Sequence, residues 1–72
     1  MKGNRSRGKY RIYIVEDRRR HYLRTWTTWG KFEHLIFDVD ARYAMKFRDF
    51  ATAMDYRDRM IKMNYKPHIE GI

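Results

Sequence analysis

The chain has 72 residues, so one domain is expected, and a domain this small buries only about 60% of the surface its unfolded chain exposes. A core and a deep, water-excluded catalytic cavity do not both fit in it. With no cysteine, disulfides and thiolate metal sites are excluded and a reducing cytoplasm is the expected setting.

The formal net charge is +8, and residues 1–24 carry +7 of it, because nine basic side chains there face only Glu16 and Asp17. Such asymmetry implies a local positive field and an anionic partner, most often nucleic acid. Solubility is the plain alternative, since like charge keeps small proteins apart. No stretch is long and apolar enough to span a bilayer. The basic start, Met1 to Lys9, is followed by no apolar run and is not expected to act as a secretory leader. The core must come from a few large side chains, which six Tyr, four Phe and two Trp supply.

Residues 1–8 read as a flexible basic arm, with two glycines and nothing apolar after Met1. Residues 9–72 read as the domain. Lys9 to Glu16 alternates, with Tyr10, Ile12 and Ile14 on one side and Arg11, Tyr13 and Val15 on the other, which predicts a strand. Glu16-Asp17-Arg18-Arg19 fits a hairpin turn, although it lacks Asn-Gly. Arg20 to Thr27 is the returning strand. If Leu23 joins Ile12 and Ile14 in the core, then Tyr22, Arg24 and Trp26 point outward. The opposite register would bury Arg24, which is costly without a partner. The hairpin's outer face is therefore expected to carry Arg11, Tyr13, Tyr22, Arg24 and Trp26.

Thr28 to His34 has no clear period, and Trp29-Gly30 suggests a turn. Leu35-Ile36-Phe37 suits either a strand or a wall against the core. Asp38-Val39-Asp40 can cap a single helical turn, and Tyr43 to Phe47 alternates as a third strand would. Asp49 is a good N-cap for a helix over about Phe50 to Met63. Phe50, Ala53, Tyr56 or Arg57, Met60 and Met63 make its buried stripe. Asp55 with Arg59 and Asp58 with Lys62 are acid-before-base pairs at i,i+4. Asn64 suits the position just past the helix, and Pro67 stops continuation. The expected class is α+β: a three-stranded antiparallel sheet packed on one helix, with His68 to Ile72 as an optional fourth short strand at an edge.

Chemistry is sparsely supplied. His21, His34 and His68 share no metal-ligand spacing, and Asp38-x-Asp40 is the pattern of a cap or turn, so no metal or cofactor is expected. Ser6, the one serine, lies in the arm, which leaves no nucleophile on a rigid scaffold. Asp55 and Asp58 each have a basic neighbour and read as a solvated face. His21 beside Arg18, Arg19, Arg20 and Arg24 is the one grouping that could cleave RNA; otherwise no enzyme is expected. Met45, Met54, Met60 and Met63 read as core filling.

The basic-aromatic hairpin is the best functional candidate. Arginine and lysine neutralise phosphates whatever the base sequence, and flat rings stack on unpaired bases. A two- or three-stranded sheet also fits the major groove, with the arm tracking the backbone or entering the minor groove. The expected contact set is Lys2, Arg5, Arg7, Lys9, Arg11, Tyr13, Arg18, Arg19, Arg20, Tyr22, Arg24 and Trp26. The alternative for Trp26 and Tyr22 is that they pack beneath the Thr28–Phe37 stretch.

The run Ala41-Arg42-Tyr43-Ala44-Met45-Lys46-Phe47-Arg48-Asp49-Phe50-Ala51-Thr52-Ala53-Met54-Asp55-Tyr56 resembles a pattern in small proteins of bacteriophages and mobile elements. There a strand is followed by a capping Asp or Thr and a helix with a core Ala and an aromatic. Tyr22-Leu23-Arg24-Thr25-Trp26 is similar to the second hairpin strand of such proteins. The likeness spans about residues 9–72 and implies a fold and an origin. A looser likeness of architecture links the chain to sheet-reading DNA-binding domains of plant transcription factors and integrase arm-binding domains. Phage origin would imply a second class, a protein that binds and inhibits a host protein or defence nuclease. Expected partners are thus DNA, RNA or an acidic host protein, with no membrane, acting as a monomer or as a homodimer through a strand edge.

Overall fold

The computed structural model describes residues 8–72. The expected arm residues Lys2, Arg5 and Arg7 lie outside the described residues. Strands β1 (Tyr10–Glu16), β2 (Arg19–Trp29), β3 (Phe32–Asp38) and β4 (His68–Gly71) form one antiparallel sheet in the order β3-β2-β1-β4. Helix α1 (Phe50–Lys62) precedes β4 and packs on one face. The class is α+β, and the short C-terminal strand is present.

The first hairpin turns on two residues, Asp17 and Arg18, with Glu16 opposite Arg19. Both turn residues have positive φ, 53° and 64°. Right-handed strand twist favours that arrangement in a two-residue loop, which is why Asn-Gly is common there. Asp tolerates it; a residue such as Arg18 gives up about 1 kcal/mol. Beyond the turn the alternation runs as expected: Ile12 and Leu23 are wholly buried and Ile14 nearly so.

One residue then changes the facing of β2. Leu23 pairs with Phe37, but the next pair is Thr25 with Ile36, so Arg24 is an extra residue in the ladder, a β-bulge. The bulge reverses the alternation. Trp26, expected to point outward, instead lies opposite Leu35 on the helix side, half-buried against the core. Its ring meets Tyr56 of α1 edge-on at 5.3 Å, and its indole N–H donates to Glu33. A side chain omitted from the ladder escapes the choice between two registers, so Leu23 and Trp26 are both inside while Arg24 stays about half exposed. Strand β2 also runs on to Trp29, and the stretch without a clear period is its turn and β3. Gly30, with φ of 59°, starts that second two-residue turn, a position that suits glycine.

Tyr43 to Phe47 is not a third strand. Ala41–Tyr43 is a single 3₁₀ turn, capped by Asp40 as the sequence suggests: the Asp40 side chain accepts from the Arg42 N–H at 3.0 Å. The chain then runs extended into a gap. β1 pairs with β2 only from Tyr13 onward, because β2 veers off after its bulge. The 44–47 segment fills the space: the Met45 N–H donates to Leu23 O, and the Phe47 N–H to Tyr10 O, each at 2.8 Å. Phe47 O accepts from Lys9 and Tyr10. The alternating side chains reflect real extension with only a single bridge, Tyr10 to Phe47.

Asp49 caps α1 by accepting from the Thr52 N–H at 2.9 Å. Ala53 and Met60 are wholly buried, and Tyr56 packs on Phe47 at 4.9 Å between centroids. The helix ends in a Schellman arrangement: Tyr65 donates to Met60 O and Asn64 to Ile61 O, with Asn64 at φ 73°. The expected i,i+4 ion pairs do not close. Asp58 instead meets Arg57 at 3.0 Å, and the Arg59 guanidinium turns to the Trp26 and Tyr56 rings, 5.8 and 5.7 Å away. Exposed helix pairs contribute only a few tenths of a kcal/mol, so two ring contacts readily outweigh one.

Candidate nucleic-acid interface

The helix covers one face of the sheet. Residues directly opposite one another across a ladder share a face, so the register assigns the other side. Arg11 pairs with Glu70, Tyr13 with both Tyr22 and His68, Val15 with Arg20, and Tyr22 with Asp38. These form the outer face near β1, and no element among the described residues lies over it.

Its side chains interlock. Arg11 holds Glu70 with two nitrogens, at 3.2 and 3.4 Å, and Arg20 reaches the same carboxylate at 3.3 Å. The hydrogen bond from Arg11 keeps the Glu70 carboxyl below its ordinary pKa against a smaller opposing effect of burial, and the Arg11 and Arg20 charges add to it. The Arg20 pKa is raised, first by the Tyr22 side chain beside it, against a smaller opposing effect of desolvation. Arg20 also lies over the Tyr13 ring at 4.3 Å and Arg11 over Tyr22 at 5.1 Å, while Tyr13 stacks on His68 at 5.1 Å. Tyr22 faces outward as expected but is covered by these neighbours and is only 7% exposed. Arg24 reaches from the bulge to Asp38 at 2.7 Å and over the Tyr43 ring at 4.7 Å.

Three guanidinium groups therefore share two carboxylates. The Arg20 and Arg24 side chains stay 51% and 47% exposed, so each can meet an incoming anion without the sheet being disturbed. Arg18 sits exposed at the turn, and exposed Lys9 precedes β1. Arg19 pairs with Glu16 and shares the helix side with Ile14. Of the expected set, Arg11, Tyr13, Arg20, Tyr22 and Arg24 come together and Trp26 is removed.

His21 pairs with Ile14, on the helix side, and its Nε2 hydrogen-bonds to Glu16 O at 3.2 Å. The sheet thus sends His21 and Arg20 to opposite faces, and the grouping named for RNA cleavage is not assembled. Among the described residues no cluster of three or more His, Asp or Glu could hold a metal ion, and no helix is long and apolar enough to cross a membrane.

The sequence reading missed a second part of this face. Beyond the bulge, Thr25 opposes Ile36, Thr27 opposes His34, and Trp29 opposes Phe32, all facing outward. Trp29 and Phe32 are each 77% exposed and Ile36 is 45% exposed. The available signal was limited to the turn: Trp29-Gly30-Lys31-Phe32 places a glycine-led pair between two aromatics, whereas the face they take depends on the bulge. Comparison with family models, curated proteins and solved structures gave no match, so the site is read from its own geometry.

Proposed function

We propose that this is a non-catalytic nucleic-acid-binding protein, encoded by a phage or mobile element and acting in the cytoplasm of its bacterial host. It lays the phosphate backbone along the outer sheet face, where Arg20 and Arg24 supply charge, and Lys2, Arg5 and Arg7, outside the described residues, add to the protein's positive charge. The observation that carries the reading is the half exposure of those two arginines on a face that no described element covers. Each is backed by a carboxylate and a tyrosine ring, which fixes the guanidinium plane and lowers the entropy lost on meeting a phosphate.

Binding to an arbitrary labelled DNA or RNA oligonucleotide is expected at low salt and should weaken steeply as salt rises. Arg20→Ala with Arg24→Ala should lower affinity for every sequence alike and flatten the salt dependence. A pure protein with no affinity for DNA or RNA at low salt would sink the proposal. A host protein is the second reading, favoured by the exposure of Trp29 and Phe32, since aromatic side chains often anchor protein interfaces. A stoichiometric partner recovered from nuclease-treated bacterial lysate would shift the weight to it.

A further inference from the structure

The outer end of the β2–β3 hairpin differs from the rest of the sheet. Trp29 and Phe32 flank its two-residue turn on the uncovered face, most of each ring in solvent. Nothing lies within 4 Å of where a Gly30 side chain would begin, so the tip has open space around it. Large exposed rings on a folded domain mark a contact surface.

Charge selects the partner. The outward side chains of this hairpin end, Thr25, Thr27, Trp29, Phe32, His34 and Ile36, include no acid. Its one carboxylate, Glu33, lies on the opposite face and is held there by the Trp26 indole and the Thr28 hydroxyl. Lys31 is exposed in the turn itself. A polyanion therefore meets Lys31 at the turn and Arg24 at the bulge, with rings between; the nearest carboxylate on that face, Asp38, is already paired with Arg24 at 2.7 Å. Arg24 and Trp29 are five residues apart, about 16 Å along the strand.

Ring faces do not read a duplex well. In double-stranded nucleic acid the base faces are stacked on each other and only their edges are open. Unpaired bases present both faces, and stacking on tryptophan or phenylalanine needs no particular sequence. The opposed rings are about 5.5 Å apart at their Cα atoms, close enough to receive neighbouring bases of one strand.

We propose that Trp29 and Phe32 form a base-stacking platform, and that the protein consequently takes single-stranded DNA or RNA in preference to duplex. This rests on the nucleic-acid reading above. The test measures binding of three proteins to labelled oligothymidine, oligouridine and an arbitrary duplex of equal length. The proteins are the full chain, Trp29→Ala with Phe32→Ala, and Arg20→Ala with Arg24→Ala. Because both rings are exposed, the ring variant should keep its circular dichroism spectrum and melting temperature.

The full chain should bind both single strands at least about tenfold more tightly than duplex. The ring variant should lose about tenfold or more on single strands with duplex binding unchanged, and the arginine variant should weaken on all three. Single-strand binding unaltered by the ring substitutions would overturn the stacking platform. If the arginine variant were still weakened, the nucleic-acid reading would stand without it. No binding of any oligonucleotide by the full chain would overturn both. Ring substitutions that abolish capture of a host protein but leave oligonucleotide binding intact would also overturn the platform.

Discussion

Strand β2 serves two regions that differ in how their side chains are used. Before its bulge, Arg20 and Tyr22 interlock with Arg11, Tyr13, His68 and Glu70. After it, Thr25, Thr27 and Trp29 face solvent with only β3 beside them. The same strand with the same pleat yields a preorganised ionic patch in one half and a bare aromatic tip in the other. Position relative to one extra residue, rather than residue type, decides which aromatic is structural and which is free.

The largest effect is expected from inserting one alanine between Thr25 and Trp26. Deleting Arg24 would leave Thr25 outward and Trp26 inward in a regular ladder, whereas one residue more reverses the alternation and turns Trp26 outward. A loss of about 3 kcal/mol or more is expected, with a red shift of tryptophan fluorescence. An insertion variant that melts like the parent would refute the facing given to Trp26. The two indoles sharpen the contrast. Trp26→Ala should cost about 2–3 kcal/mol and Trp29→Ala under about 0.5, read from thermal melts; equal costs would contradict the facing described here.

Glu70→Gln separates the patch from the tip by another route. Removing the carboxylate frees Arg11 and Arg20, so nucleic-acid affinity should rise while stability falls by about 1 kcal/mol or less, given partial solvent screening. The folded pKa of Glu70 is depressed, so its contribution is full above the ordinary glutamate value and is lost as pH falls through the folded value. The parent's melting temperature should therefore drop more steeply than the variant's on acidification below that ordinary range. Parallel curves would mean that the Glu70 pairs are idle. Asp40, held down at about 2 by Arg42, titrates alike in both proteins and cancels from the difference. The smallest effect is expected at the first turn: Arg18→Gly should stabilise by about 0.5–1 kcal/mol, since glycine adopts positive φ freely.

Much of the fold was legible because its signals are local. Asp49 and Asn64 bracket the helix through bonds to neighbouring backbone, and the alternation of Tyr10 to Val15 needs no distant information. The facing of Trp26 was not legible. Choosing between two registers assumed an unbroken ladder, and nothing in Leu23-Arg24-Thr25, such as a glycine, announces the bulge. Tyr43 to Phe47 failed for a related reason: extension is encoded locally, whereas strand pairing depends on where β2 leaves β1. For the site, Arg11, Tyr13, Arg20, Tyr22 and Arg24 followed from charge and period. Trp29 and Phe32 did not, because their face depends on the same bulge.

By setting which face each later side chain of β2 takes, that inserted arginine also distinguishes two kinds of selection. Mutations at Leu23 or Trp26 are judged by whether the chain folds, since Leu23 belongs to the core and Trp26 packs against it. Mutations at Trp29, Lys31 or Phe32 touch little that folding requires. The tip is thus free to change its ligand through successive substitutions without endangering the scaffold, as an interchangeable head is fitted to a fixed handle.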